Sequence, residues 1–326
     1  MEGTSRGPAL RWVAVTAVAP VSWGTNYYVT HAFLPADSPL YGAAIRALPA
    51  GLLLLALARR LPRGSWWWKS LVLGVLNMGG FFALVYVAAQ RLPTSLASTV
   101  MAIAPLVMMV IAGPLLGERP RPAHLAGAGA GLGGVCLMLL AGTASADLIG
   151  VLASAAAMLM SSLGYVLAKR WSSDVPVLAS TAWQLVAGGV VLIPFAVGFD
   201  GAPPDLDTSG VLAFAYVSVV CTGLAFAAWF AGLRHLTAGT VGLVGLLNPV
   251  TGVLLGTLLA AESLSLRQLL GLALVLGGIL LGRPRSGTRP PTPLPTPPHP
   301  PRARPLAPTP PPGPGRGPDR PTDRPD

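Results

Sequence analysis

The chain has 326 residues, of which 52% are hydrophobic and only 10% charged, with a formal net charge of +10. Soluble domains carry about 25% charged residues, so an ordinary globular fold is excluded. The basic excess does not point to nucleic acid, because the Lys and Arg residues sit in short breaks between apolar runs and in a C-terminal tail.

A bilayer core about 30 Å thick needs about 20 apolar residues per helix, and runs of that kind follow one another from Trp12 to Leu281. Backbone facing lipid must satisfy its own hydrogen bonds, and the strand-period alternation of outer-membrane barrels is absent. The runs are therefore read as helices. The first, 12–33, follows Arg6 and Arg11 and has the outline of a signal peptide. Many spans come after it, and Trp23, Asn26 and Tyr27 continue it, so it is read as an uncleaved first helix. The next four runs are 39–58, 67–89, 94–116 and 122–142. A second set of five covers 147–168, 176–198, 210–232, 238–260 and 264–282. Cys136 and Cys221 fall inside runs and imply no disulfide framework.

Orientation follows from the positive-inside rule. With the N-terminus inside, fourteen Lys and Arg residues lie in cytoplasmic segments, against only Arg91 and Arg267 opposite. Both termini are thus expected in the cytoplasm. From residue 283 the composition turns to Pro and Arg, too poor in apolar residues to pack, and this tail is expected to be disordered. Contact of the basic tail with anionic lipid and a solvated tail without specific role both remain open.

Self-comparison finds a repeat. APLVMMVIAGPLLGERPRPAHLAGAGAGLGGVCL returns as NPVTGVLLGTLLAAESLSLRQLLGLALVLGGILL after 144 positions, pairing Pro105 with Pro249, Glu118 with Glu262 and Gly134 with Gly278. At the same shift Gly79, Phe82 and Leu92 meet Gly223, Phe226 and Leu236. Five helices is an odd number, so the second copy enters the membrane from the opposite side and the halves are inverted. The expected organisation is a cytoplasmic N-terminus (1–11), two five-helix units (12–142 and 147–282) and the tail (283–326). The fold class is an all-α polytopic membrane protein of ten transmembrane helices in a 5+5 inverted repeat. Inverted repeats place solute sites near mid-membrane at the repeat interface.

A Pro within a helix, a small-and-apolar run, a closing Glu and a Gly-rich helix, occurring twice, resemble the EamA family of the drug/metabolite transporter superfamily. RLPTSLAS, HLTAGTVG and Trp23-Gly24 also fit, and the resemblance covers roughly 12–282, with Ala261-Glu262 replacing Gly-Glu in the second copy. It implies alternating-access transport, often export of amino acids, other metabolites or drugs.

Arg46 is the one charge deep within a span. Such charges are costly and face a partner or a wet interior; anchoring a carboxylate or phosphate and a purely structural role are both open. No Asp or Glu lies mid-span, so a buried carboxylate relay is missing. Glu118 and Glu262 close helices, where the dipole disfavours them, and are expected to be held by Arg119, Arg121, Arg267 or facing helix ends, as structural or gate-locking groups. Pro105 and Pro249 are hinge candidates or fixed kinks. The Gly-rich helices read as packing faces, and Trp66, Trp67 and Trp68 as an interfacial belt. Trp23, Asn26, Tyr27, Asn77, Phe81, Tyr86, Ser162, Tyr165, Trp229 and Asn248 are polar or aromatic residues within spans, and with Arg46 form a candidate substrate lining; each alone could equally be interhelical glue.

No enzyme constellation, metal-ligand spacing or phosphate-binding motif is found, so neither catalysis nor a cofactor is expected. The expected partners are a small-molecule substrate and the lipid bilayer, with a homodimer as a further candidate and no nucleic acid. The leading expectation is an exporter; uptake or exchange of an organic anion through Arg46, and a non-transporting receptor or scaffold, are the alternatives.

Overall fold

The computed structural model describes residues 7–33, 38–92, 100–139, 147–171, 174–260 and 265–282. Glu262, the tail from residue 283 and the side chain of Tyr27 lie outside the described residues. Every regular element among the described residues is helical. In chain order, α1 (Gly7–Phe33), α2 (Pro39–Ala58), α3 (Trp66–Gly74), a π-helical turn π1 (Val75–Gly79) and α4 (Gly80–Arg91) lead to α5 (Ala104–Leu116) and α6 (Pro122–Leu139). There follow α7 (Leu148–Trp171), α8 (Val177–Phe199), α9 (Thr208–Ser218), a second π-helical turn π2 (Val219–Leu224), α10 (Ala225–His235), α11 (Ala238–Gly245), α12 (Leu247–Ala260) and α13 (Leu266–Leu281). Among the described residues, five continuous helices are long and apolar enough to cross a membrane: Pro39–Ala58, Trp66–Ala88, Leu148–Trp171, Val177–Phe199 and Thr208–His235. Ala104–Leu116 and Leu266–Leu281 are shorter apolar helices.

Local chemistry sets the helix ends. Pro39 opens α2, where its missing N–H costs nothing. The Asp200 carboxylate at the end of α8 accepts from the backbone N–H groups of Leu40 and Tyr41 at 2.7 and 2.9 Å, filling donors the helix cannot satisfy itself. Asp207 caps α9 by accepting from Gly210 N–H at 2.7 Å. Ser265 and Gln268 form a reciprocal capping box at the start of α13. Gly117 ends α5 with φ of 69°, a left-handed cap that glycine adopts without strain.

The sequence places Pro105 and Pro249 inside continuous helices, but the helical ladder is interrupted just before each. Ala102 and Ile103 form a turn, and α5 restarts with Pro105 in its first turn. Leu246 forms the turn between α11 and α12, three residues before Pro249. Proline has no N–H to donate and crowds the preceding turn, so a restart relieves both costs.

Small residues bring the helices close. A Cβ on Gly134 would lie 2.5 Å from the Gly271 carbonyl oxygen, and one on Gly127 2.5 Å from that of Gly278, so α6 and α13 touch backbone to backbone. Gly51 of α2 meets α8 in the same way, 2.8 Å from Val186 N. Outward, Leu52, Leu53 and Leu57 on α2, Val190, Ile193 and Phe195 on α8, and Leu266, Leu269 and Leu270 on α13 are exposed. Patches of this kind do not suit water and are what acyl chains require.

The contacts come in matched sets. α1 packs on α10 and α12, while α7 packs on α4 and α5. π1 lies against α8, and π2 lies against α2. α2 pairs directly with α8, and α6 with α13. The first residues of the two π turns, Val75 and Val219, are 144 positions apart, as are the helix interruptions at Ala102 and Leu246.

Candidate functional site

The interior is organised by aromatic rings from α1, α7 and α10. Trp23 of α1 lies 5.1 Å from Phe226 and 5.2 Å from Trp229, centroid to centroid. Tyr165 of α7 meets Trp229 edge-on at 5.4 Å and Phe230 at 6.0 Å. Trp229 and Tyr165 are only 3% and 8% exposed. Tilted and edge-to-face pairs align the positive rim of one ring with the negative face of the next. The indole N–H of Trp23 donates to the Cys221 carbonyl at 3.0 Å. Cys221 lies in π2, where the wider turn departs from the i−4 ladder.

Around these rings several polar atoms have no hydrogen-bond partner. Asn26 Oδ1 on α1, Trp229 Nε1 on α10 and Asn248 Oδ1 on α12 are buried and unsatisfied. α1 and α12 meet at Gly24, where a Cβ would lie 3.0 Å from the Asn248 carbonyl oxygen and 2.8 Å from Thr251 Cγ2. Gly245 approaches Trp229 similarly, with a Cβ falling 3.1 Å from the indole rim.

Arg46 on α2 is tied to the opposite half of the chain. Its Nε donates to Thr222 Oγ1 at 3.0 Å, its carbonyl accepts from Ser218 Oγ at 3.0 Å, and its guanidinium lies 4.7 Å above the Phe82 ring. π2 therefore holds both Trp23, through Cys221, and Arg46, through Thr222. Asn77 in π1 is fully buried. Its Nδ2 donates to Gln184 Oε1 at 2.8 Å, and Gln184 Nε2 donates to the Ser180 carbonyl at 3.0 Å. That chain fixes both amide orientations, since the Ser180 carbonyl can only accept. Asn77 Oδ1 then has no donor and rests against Gly164, where a side chain would collide with the Asn77 amide. Ser162 is buried on α7, its Oγ 4.0 Å from the Met158 sulfur. Phe81 pairs with Phe82 at 5.5 Å, and Tyr86 is half-buried on α4.

Glu118 stands just beyond the Gly117 cap, and its partners differ from the arginines beside it in sequence. One carboxylate oxygen pairs with Lys169 at the end of α7, and the other accepts from Ala238 N–H at 2.8 Å, at the start of α11. The carboxylate thus faces a helix N-terminus, where the dipole favours it, instead of its own helix's C-terminus. Lys169 also donates to the Leu236 carbonyl. Beside this cluster, the Trp12 and His235 rings stack at 3.5 Å. Among the candidates read from the sequence, Trp23, Tyr165 and Trp229 come together, with Asn26 and Asn248 on the same converging helices. Arg46 and Asn77 occupy separate interhelical clamps.

Three residues with clear partners were not singled out by sequence. Lys169 appeared only as one positive charge among fourteen. Gln184, the amide within the 176–198 run, carried a signal of its own: a long polar side chain in hydrocarbon demands a partner. Thr222 has no such signal, because a threonine in a span commonly bonds back to its own helix, as Thr222 does to the Val217 carbonyl at 2.9 Å.

The long apolar helices and lipid-facing outer surfaces define a polytopic helical membrane protein. The chain belongs to the EamA-like transporter family, whose family profile matches residues 10–140 and again 148–282. It is 35% identical to PecM of Dickeya dadantii (strain 3937) over 81% of this chain and 89% of that protein. It is 27% identical to the uncharacterized inner membrane transporter YedA of Escherichia coli (strain K12), over 80% and 87% of the respective chains. A WAT1-related chloroplastic protein of Arabidopsis thaliana is 29% identical over 84% of this chain and 70% of its own length. One solved crystal structure superimposes with a TM-score of 0.73 at 25% identity, covering 83% of this chain and 96% of that one.

Proposed function

We propose that the chain is a secondary-active exporter of amino acids or other small metabolites or drugs, working by alternating access in the cytoplasmic membrane, with no catalytic activity of its own. Ten membrane spans form two inverted five-helix units, 12–142 and 147–282, with both termini in the cytoplasm. The substrate is a small molecule. The observation that carries the reading is the matched contact pattern. α1 relates to α10 and α12 as α7 relates to α4 and α5, as expected of two units related by exchange about an axis in the membrane plane. The helix interruptions before Pro105 and Pro249 supply two hinges in corresponding places, and Glu118 closes the end at which α5, α7 and α11 meet. Glu262 is the corresponding gate residue on the opposite side.

Flux in proteoliposomes tests this directly. The purified chain should move at least one member of a panel of radiolabelled amino acids, aromatic metabolites and organic ions faster than empty vesicles. Absence of movement across the whole panel would leave a receptor or scaffold as the better account. Uptake of an organic anion on Arg46 has less support, because the Arg46 Nε is engaged by Thr222 and the guanidinium lies over Phe82.

A further inference from the structure

We infer that the junction of α1, α7, α10 and α12 binds a flat, net-uncharged aromatic solute that carries both hydrogen-bond acceptors and donors. The inference rests on the transport reading above and narrows its substrate class.

The two central indoles differ in one respect. Trp23 has its N–H satisfied by the Cys221 carbonyl, whereas Trp229, buried to 3% exposure, has an N–H with no acceptor. A buried indole N–H ordinarily finds a partner, and leaving one unmade is costly once the group is out of water. An acceptor on a bound solute meets that need. Asn26 lies three residues beyond Trp23, on the same face of α1, and Asn248 lies on α12, which touches α1 at Gly24. Each of these amides also ends in an unsatisfied atom. A solute with both donors and acceptors satisfies them in either orientation of the amide groups, which a solute of one kind does not.

Shape follows from the rings. Trp23, Tyr165, Phe226 and Trp229 pack on one another with centroid spacings of 5.1 to 5.4 Å, and of the four Trp23 is the one that keeps part of its surface open. Such surfaces favour another flat ring, in offset or edge-on contact. They would also attract a cation, and charge decides between the two. No Asp or Glu lies within the apolar spans that supply these residues. A positive charge lies beside the anchor of Trp23: Arg46 bonds Thr222, the neighbour in sequence of the Cys221 that holds Trp23, while the Glu118 carboxylate is already taken up by Lys169, one turn of α7 beyond Tyr165. A cation would meet repulsion with no counter-ion. An anion would lose its hydration, while the one cation at this depth already packs on Phe82 and bonds Thr222. A neutral solute avoids both costs.

The test uses the full-length protein in lipid nanodiscs and three near-isosteric probes: indole-3-carboxamide, indole-3-carboxylate and 3-(aminomethyl)indole, with 3-methylindole as a ring-only control. The carboxamide should bind about tenfold or more tighter than either charged probe, because a charged probe gives up hydration that the site does not replace. Trp229→Phe keeps a ring and removes the N–H, so it should weaken the carboxamide about tenfold and leave 3-methylindole unchanged. Asn26→Ala should weaken the carboxamide and also spare 3-methylindole, which guards against a folding defect confined to the Trp229 variant. Tighter binding of a charged probe, equal binding of all three, no binding, or equal loss of carboxamide and 3-methylindole in both variants would overturn the inference. Flux of some panel solute without carboxamide binding would remove this substrate class and leave transport standing. Carboxamide binding without flux of any solute would keep the site and remove the transport reading.

Discussion

Lys169 and Glu118 form an ion pair almost shut away from solvent, with side chains only 15% and 8% exposed. Three chain segments meet at it: the end of α5, the end of α7, and the start of α11 through Ala238 N–H. Replacing one partner leaves the other charge buried without compensation, which costs about 3–5 kcal/mol where such pairs have been broken. Glu118→Gln should therefore lower the thermal midpoint in detergent by several degrees. The double variant Glu118→Gln with Lys169→Met should recover part of that loss. A double variant no more stable than Glu118→Gln alone would show that the pair is not coupled.

The Asn77–Gln184 clamp makes the opposite kind of prediction. Asn77→Ala strands the Gln184 carbonyl, on a side chain only 1% exposed, without a donor. The cost should be about 1–3 kcal/mol. Replacing both residues by Leu removes the polar groups together and should cost less than Asn77→Ala by itself, measured as thermal midpoints of the purified proteins.

Gly134 tests the close approach of α6 and α13. Gly134→Val places methyl groups where the Gly271 carbonyl stands, 2.5 Å from even the first added carbon. Gly133→Ala meets nothing within 4 Å. Fluorescence-detected size exclusion should show loss of the monodisperse peak for Gly134→Val and a normal peak for Gly133→Ala.

Arg46→Gln removes the ring contact with Phe82 and weakens the Thr222 bond. It should reduce stability modestly, by about 1 kcal/mol. Because Arg46 acts here as a clamp, the ratio of organic-anion flux to neutral-solute flux should be unchanged. A selective loss of anion flux would instead make Arg46 an anchor.

Orientation is open to a labelling experiment in a background free of the two native cysteines. Arg63→Cys, on the loop between α2 and α3, should react with a membrane-impermeant maleimide only after cells are permeabilised. Ala202→Cys, between α8 and α9, should react in intact cells. The reverse pattern would invert the proposed topology.

That the chain holds several long apolar helices was legible because a bilayer imposes a length and a polarity that soluble folds do not. α2, for instance, occupies Pro39–Ala58, the span read from the sequence. The π turns were not legible, since one extra residue in a turn leaves no mark in a uniformly apolar run. The aromatic half of the candidate site was partly legible: Trp23, Tyr165 and Trp229 stood out as bulky groups within spans, and they do converge. Their partners were not. Gln184 with Asn77, and Lys169 with Glu118, are 107 and 51 residues apart, and pairing at such range depends on which helix faces which. For Glu118 the facing helix end was anticipated, and it is the start of α11; the cation that pairs with it was not, because Lys169 is distant in sequence while Arg119 and Arg121 are adjacent.

The π turn at Val75–Gly79 interrupts the α ladder of its span. Each residue of an α-helix advances the chain by about 100° and 1.5 Å. The π turn carries one residue more than an α turn needs for the same sweep, so deleting one residue within it would restore the α ladder and leave Phe82 of α4 facing Arg46 nearly as before. The same deletion in a regular stretch of α4 has no such slack and would rotate everything after it by about 100°. The turn is therefore a place where this span can change its length without changing which side faces the interior.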